Sequence, residues 1–81
     1  MPVIIEFLGN QRIITRVDSI DLPITEKMTV NDAFKFVQQQ YPDLHLDEGM
    51  ILITVNKTIA SLDRFLNIND TISFLPPISG G

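Results

Sequence analysis

The chain has no cysteine, one histidine and only four glycines, and no apolar run approaches the length needed to span a bilayer. Without cysteine there are no disulfides and no thiolate metal ligands, which agrees with a reducing, cytoplasmic setting. His45 has no cysteine or second histidine to work with, so a nucleophile–base pair or a histidine metal site has nothing to build on; it reads as a solvent-exposed loop residue. Asp43, Asp47 and Glu48 do not follow EF-hand spacing and read as a solvated acidic loop. Gly9 and Gly49 stand alone, so no phosphate-cradling loop is present. Cations are scarce too: six Lys and Arg face ten Asp and Glu, for a net charge of −4. Arg12, Arg16, Lys27, Lys35, Lys57 and Arg64 are spread without clustering, which leaves no electrostatic footprint for nucleic acid. The opening MPVIIEF lacks the basic segment of a signal peptide. The expectation is a cytoplasmic protein with no metal, no bound cofactor, no nucleic-acid or membrane partner, and no catalytic residues of its own.

What remains is enough to fold. With 81 residues, 44% hydrophobic and 20% charged, the chain reads as one domain able to bury a core. VIIEFL is a strand by its β-branched and aromatic content, left at Gly9-Asn10. QRIITRV is either the return strand of a tight hairpin or a short irregular segment before a strand at SIDLPI. The alternation of Ile20, Leu22 and Ile24 with Asp21 and Pro23 favours the second, with Pro23 acceptable only on a sheet edge. TVNDAFKFVQQQYP is the one strong helix. Thr29 serves as N-cap with Asp32 three residues on, and Val30, Ala33, Phe34, Val37 and Tyr41 share one face, so Phe34 and Tyr41 read as core and Phe36 as cover for the helix edge. Pro42 ends it. MILITVN reads as a buried strand, TIASL as a short strand after a turn at Asn56-Lys57, and TISFL as the last strand, ended by Pro76 and Pro77. Strand, strand, helix, strand, short strand, strand is the order of a ubiquitin-like β-grasp: an α+β fold, with a mixed sheet crossed by one main helix, over residues 1–75.

Residues 76–81, PPISGG, then form a flexible tail. Extended, six residues reach roughly 20 Å at about 3.3 Å each, far enough to enter another protein's active site. Pro76 and Pro77 favour an extended start, and Gly80 and Gly81 have no Cβ to obstruct a narrow channel. A terminal carboxylate, with an ordinary pKa of about 3.3–3.7, is ionised at neutral pH and is a poor electrophile. Adenylation with ATP would activate it, and attack by sulfur would leave a thiocarboxylate. The inert alternative is a frayed end.

Residues 49–81, GMILITVNKTIASLDRFLNINDTISFLPPISGG, resemble the C-terminal part of the MoaD/ThiS sulfur-carrier family, most closely its MoaD branch, the small subunits of molybdopterin synthase. The resemblance rests on Val55-Asn56, on Thr58, on Asn69-Asp70 where that branch usually has Gly-Asp, and on the ending Phe74-Leu75-Pro76-Pro77-Ile78-Ser79-Gly80-Gly81. It implies a β-grasp whose Gly81 is adenylated by a MoeB/ThiF-like, E1-type activating enzyme that uses ATP, and is then thiocarboxylated. The tail, Pro76, Pro77, Ile78, Ser79 and Gly80, would thread into a MoaE-like large subunit within a heterotetramer, and Gly81 would donate sulfur to cyclic pyranopterin monophosphate. It also implies an apolar docking patch on Phe7, Ile59 and Leu75. The first half departs from the branch's Phe-Ala…Arg-Glu pattern, having Phe-Leu-Gly-Asn-Gln-Arg at 7–12, with Arg12 the one echo. Related carriers for thiazole synthesis or tRNA thiolation, and ubiquitin-like protein modifiers, share the fold and the Gly-Gly ending.

Overall fold

The computed structural model describes residues 2–46 and 51–75. Its elements are β1 (Pro2–Glu6), α1 (Asn10–Thr15), β2 (Ser19–Pro23), α2 (Val30–Gln40), a 3-10 turn at Pro42–Leu44, β3 (Leu52–Val55), β4 (Thr58–Ile59) and β5 (Thr71–Leu75). The strands make one sheet in the order β2-β1-β5-β3-β4. β5 lies parallel to β1 at the centre, and the other pairings are antiparallel. This is the mixed-sheet, one-main-helix β-grasp that the sequence pattern leads one to expect. β2 is an edge strand, which is where Pro23 is tolerated, since the unpaired side needs no N–H.

Strand alternation divides the sheet into two unlike faces. Val3, Ile5, Leu22, Ile53, Val55, Ile72 and Phe74 point into a core shared with Val30, Ala33, Phe34 and Val37 of α2. The Phe34 and Phe74 rings meet there at 5.8 Å between centroids. No layer of secondary structure covers the other face among the described residues, and Ile4, Glu6, Thr71, Ser73 and Leu75 are all at least partly exposed on it.

The strong helix forms as its caps require. The Thr29 hydroxyl accepts from the Asp32 N–H at 3.3 Å, and the Thr29 N–H donates to the Asp32 carboxylate at 2.9 Å, a reciprocal capping box. The segment before β5 satisfies two more of the helix's orphan donors: Val30 N–H donates to the Arg64 carbonyl and Asn31 N–H to the Leu62 carbonyl, each at 2.9 Å. At the other end Tyr41 packs edge-on against Phe7, with centroids 5.4 Å apart. Neither helix is long and apolar enough to cross a membrane.

The structure corrects two local readings. QRIITRV is neither a return strand nor irregular, because Asn10–Thr15 is helical. Its inward face is polar, carrying Gln11 and Thr15, while Ile13 and Ile14 face solvent. β-branched residues thus mimic a strand in a segment whose burial is reversed. β3 is buried over Ile53, Thr54 and Val55 but not at its start, where Leu52 is 53% exposed.

Candidate functional site

Pro76, Pro77, Ile78, Ser79, Gly80 and Gly81 lie outside the described residues, so the site is built from the root they follow. That root is β5, held between β1 and β3. Leu75, its last residue, sits on the open face directly opposite Leu52 of β3. Two positions along, Thr54 faces Ser73 on one side and Ile59 on the other. Ile59 is therefore a diagonal neighbour of Leu52, within side-chain reach. Leu52, Ile59 and Leu75 together give the open face an apolar end, with Leu52 53% and Ile59 65% exposed, next to the point where residue 76 begins. Elsewhere that face carries Ile4 beside Thr71, and Glu6, Thr71, Ser73, Asn56 and Lys57 around a shallow depression.

Phe7, which the resemblance places in the same patch, is not on this surface. It is 1% exposed and packs on Tyr41 in the core. The reason is parity: Val3 and Ile5 face the core, Phe7 follows with the same two-residue period, and Leu75 falls on the opposite face of β5. Ile59 and Leu75 share the open face two strands apart, and Leu52 of β3 lies between them.

Both ends of β5 are pinned by side chains from distant segments. At its start Asp70, 7% exposed, accepts from the Asn56 side-chain amide at 2.9 Å, the Asn67 N–H at 2.8 Å and the Arg64 guanidinium at 3.3 Å. Burial works to raise its pKa, but the backbone N–H of Asn67, the amide of Asn56 and the charge and hydrogen bond of Arg64 outweigh it, so the carboxyl lies below its ordinary value. Asn56 also accepts from the Thr71 N–H at 3.0 Å, tying the β3–β4 turn to β5. Asn56 and Lys57 hold positive φ in that turn, 53° and 70°. At the far end the buried Gln11 amide donates to the Phe74 carbonyl at 2.8 Å. His45 and Asp43 are exposed. Among the described residues no three His, Asp or Glu side chains gather as metal ligands.

A β-grasp whose central strand ends beside an exposed apolar patch can be compared with known chains. The model of the ThiS family matches residues 5–81. The chain belongs to the ThiS family. It is 42% identical to the molybdopterin synthase sulfur carrier subunit of Escherichia coli K12 over 61 residues, which cover 75% of this chain and 72% of that protein. In structure it resembles SAMP1 of Haloferax volcanii, with a TM-score of 0.82 at 18% identity and full coverage of both chains, a likeness of fold alone. It also resembles a chain in the complex of subunits 1 and 2 of molybdopterin-converting factor from Helicobacter pylori 26695, with a TM-score of 0.65, 26% identity and full coverage of both.

In this ThiS-family chain the sequence reading missed two residues at the root of β5. Leu52 carries a partial signal: it shares its parity with the polar Thr54 rather than with Ile53 and Val55, although Thr54 is itself buried in the sheet. Gln11 carries none, since its partner lies 63 residues away.

Proposed function

We propose that this chain is a sulfur-carrier subunit of molybdopterin synthase, with Gly81 as the covalent site. The observation that carries the reading is the agreement with the E. coli sulfur carrier subunit, 42% identity over three-quarters of this chain. The apolar end of the open sheet face, where Leu52, Ile59 and Leu75 flank the start of the tail, supports it. A Gly81 carboxylate oxygen attacks the α-phosphorus of ATP on an E1-type activating enzyme, and pyrophosphate leaves. A sulfide-level sulfur donor then attacks the carbonyl carbon of the acyl adenylate and expels AMP, leaving a thiocarboxylate. Its sulfur attacks an oxygen-bearing carbon of cyclic pyranopterin monophosphate, and the carbon–oxygen bond there breaks with the oxygen leaving as water or phosphate oxygen; hydrolysis of the resulting thioester leaves sulfur on the pterin and restores the carboxylate. The chain's own part is presentation: the sheet docks, and the tail carries the reactive group into the large subunit of a heterotetramer. Gly80 and Gly81 suit this because no side chain crowds the carbonyl.

The test is to incubate the chain with a MoeB-type activating enzyme, ATP and a sulfide source and to measure its intact mass. Replacement of one terminal oxygen by sulfur is expected, together with its complete loss when Gly81 is deleted and the fold retained. An unchanged mass refutes the reading. Conjugates on lysines of other proteins, in place of the thiocarboxylate, would make the chain a protein modifier instead.

A further inference from the structure

Gln11 is buried, 8% exposed, in a helix whose apolar side chains face outward. Both ends of its amide are engaged. The Leu8 N–H donates to Gln11 Oε1 at 3.0 Å, and Gln11 Nε2 donates to the Phe74 carbonyl at 2.8 Å. Since the oxygen is taken by an N–H donor, the amide orientation follows from the network, with its nitrogen toward Phe74. The Gln11 N–H in turn donates to the Leu8 carbonyl at 3.0 Å, so this side chain springs from a locked turn.

The place of this bond is informative. β1 pairs with β5 only as far as Glu6 opposite Ser73. Phe74 is the next residue, and its carbonyl receives a hydrogen bond from Gln11 where the neighbouring strand has ended. That carbonyl belongs to the peptide joining Phe74 to Leu75. A planar peptide held at its oxygen fixes the position of the next Cα, that of Leu75, the last residue before the tail. Core packing needs only an apolar group here; a buried amide satisfied on both sides specifies one geometry.

We infer that Gln11 is a positioning residue for the carrier reaction, an inference that rests on the proposed function. By holding the Phe74–Leu75 peptide it aims the chain from the docking patch toward the partner's active site. Gln11 touches no reacting atom and acts through Leu75. Misplacing a reactive group by about 1 Å can cost on the order of a hundredfold in rate. Loss of the Gln11 bond therefore shows in turnover, while docking through Leu52, Ile59 and Leu75 is left intact.

The experiment compares the full chain with Gln11→Met, which keeps the volume and removes both hydrogen bonds, in carrier-dependent ATP–pyrophosphate exchange on an E1-type activating enzyme, well below the variant's melting temperature. The expected result is a kcat lowered roughly tenfold with KM within about twofold of wild type. In parallel, 15N relaxation of the Leu75 amide is expected to fall from the rigid range, about 0.85, toward 0.6, with Ile72 unchanged. If Gln11→Met does not fold, Gln11→Glu carries the test, because it keeps the acceptor for Leu8 and loses the donor to Phe74. An unchanged kcat overturns the inference whatever the order parameter, as does a rise in KM alone. If wild type supports no exchange while Leu75 still loosens in the variant, the carrier reading falls and Gln11 keeps only its hold on the chain's exit from the sheet.

Discussion

The side-chain amide of Asn56 donates to Asp70 Oδ1 at 2.9 Å, linking the tight turn after β3 to the residue just before β5. Asp70 is ionised in this network and its pKa is depressed. A depressed folded-state pKa contributes stability that is complete above the unfolded value, about 3.9, and disappears as pH falls through the folded value. Asp70→Asn keeps an acceptor for Asn67 but loses the charge that attracts Arg64. Hydrogen bonds to charged groups contribute about 1.5–3 kcal/mol each; Arg64, 38% exposed, adds less because water screens it. Urea unfolding at neutral pH is expected to show the variant destabilised by about 2 kcal/mol. The gap between wild type and variant is expected to narrow as pH is lowered below about 3.9. A gap that does not change with pH would remove the charge from the explanation.

Phe7 gives a second measurement. Its ring is buried against Tyr41, and truncation to alanine leaves a cavity in the core. Phe7→Ala is expected to cost about 3–5 kcal/mol in chemical or thermal unfolding. A docking residue on the surface would change stability by no more than about 0.5 kcal/mol.

Much of this architecture is readable in the chain because its local and long-range preferences agree. Thr29 with Asp32, the apolar face from Val30 to Val37, and the alternation in β2 and β5 each predict the structure they adopt. The reading fails where a residue's burial is decided by a partner far along the chain. Ile13 and Ile14 look like strand core and face solvent, because the inward positions of α1 go to Gln11 and Thr15, whose polar groups are satisfied locally or by Phe74. Phe7 and Leu75 lie near one another in neighbouring segments, yet the parity of each strand puts their side chains on opposite faces. That distinction needs the register between β1 and β5, which no local pattern carries. Leu52 escapes a local reading because a run rich in Ile, Leu and Val reads as buried on both sides, and Thr54, its neighbour on the same face, is indeed buried.

The capping box offers a clean local test. Thr29→Ala removes the hydroxyl that accepts from the Asp32 N–H, while the reverse bond from the Thr29 N–H to the Asp32 carboxylate survives. The two carbonyls of Leu62 and Arg64 also still cover the neighbouring donors. The expected cost is about 1 kcal/mol, at the middle of the range for N-cap replacements, read as a lowered denaturation midpoint with unchanged slope. A loss well beyond about 2 kcal/mol would mean that the segment from Leu62 to Leu66 detaches with the cap.

The apolar end of the open sheet face puts the proposed docking to the test. Leu52, Ile59 and Leu75 contribute little to the core, since Leu52 and Ile59 are more than half exposed and Leu75 sits on the open face. Replacing Leu52 or Ile59 by serine is therefore expected to leave unfolding within about 0.5 kcal/mol of wild type. If these side chains seat in a large-subunit partner, each replacement is expected to weaken the complex by about 1.4 kcal/mol or more, tenfold in Kd, by calorimetric titration. Ile68→Ser is the control: Ile68 is 51% exposed too, but it lies in the segment before β5, at the strand's opposite end from Leu75. Its Kd is expected to match wild type. Equal losses at all three positions would point to general stickiness of exposed apolar side chains. Loss confined to Leu52 and Ile59 would assign the partner to the end of the sheet from which the tail departs.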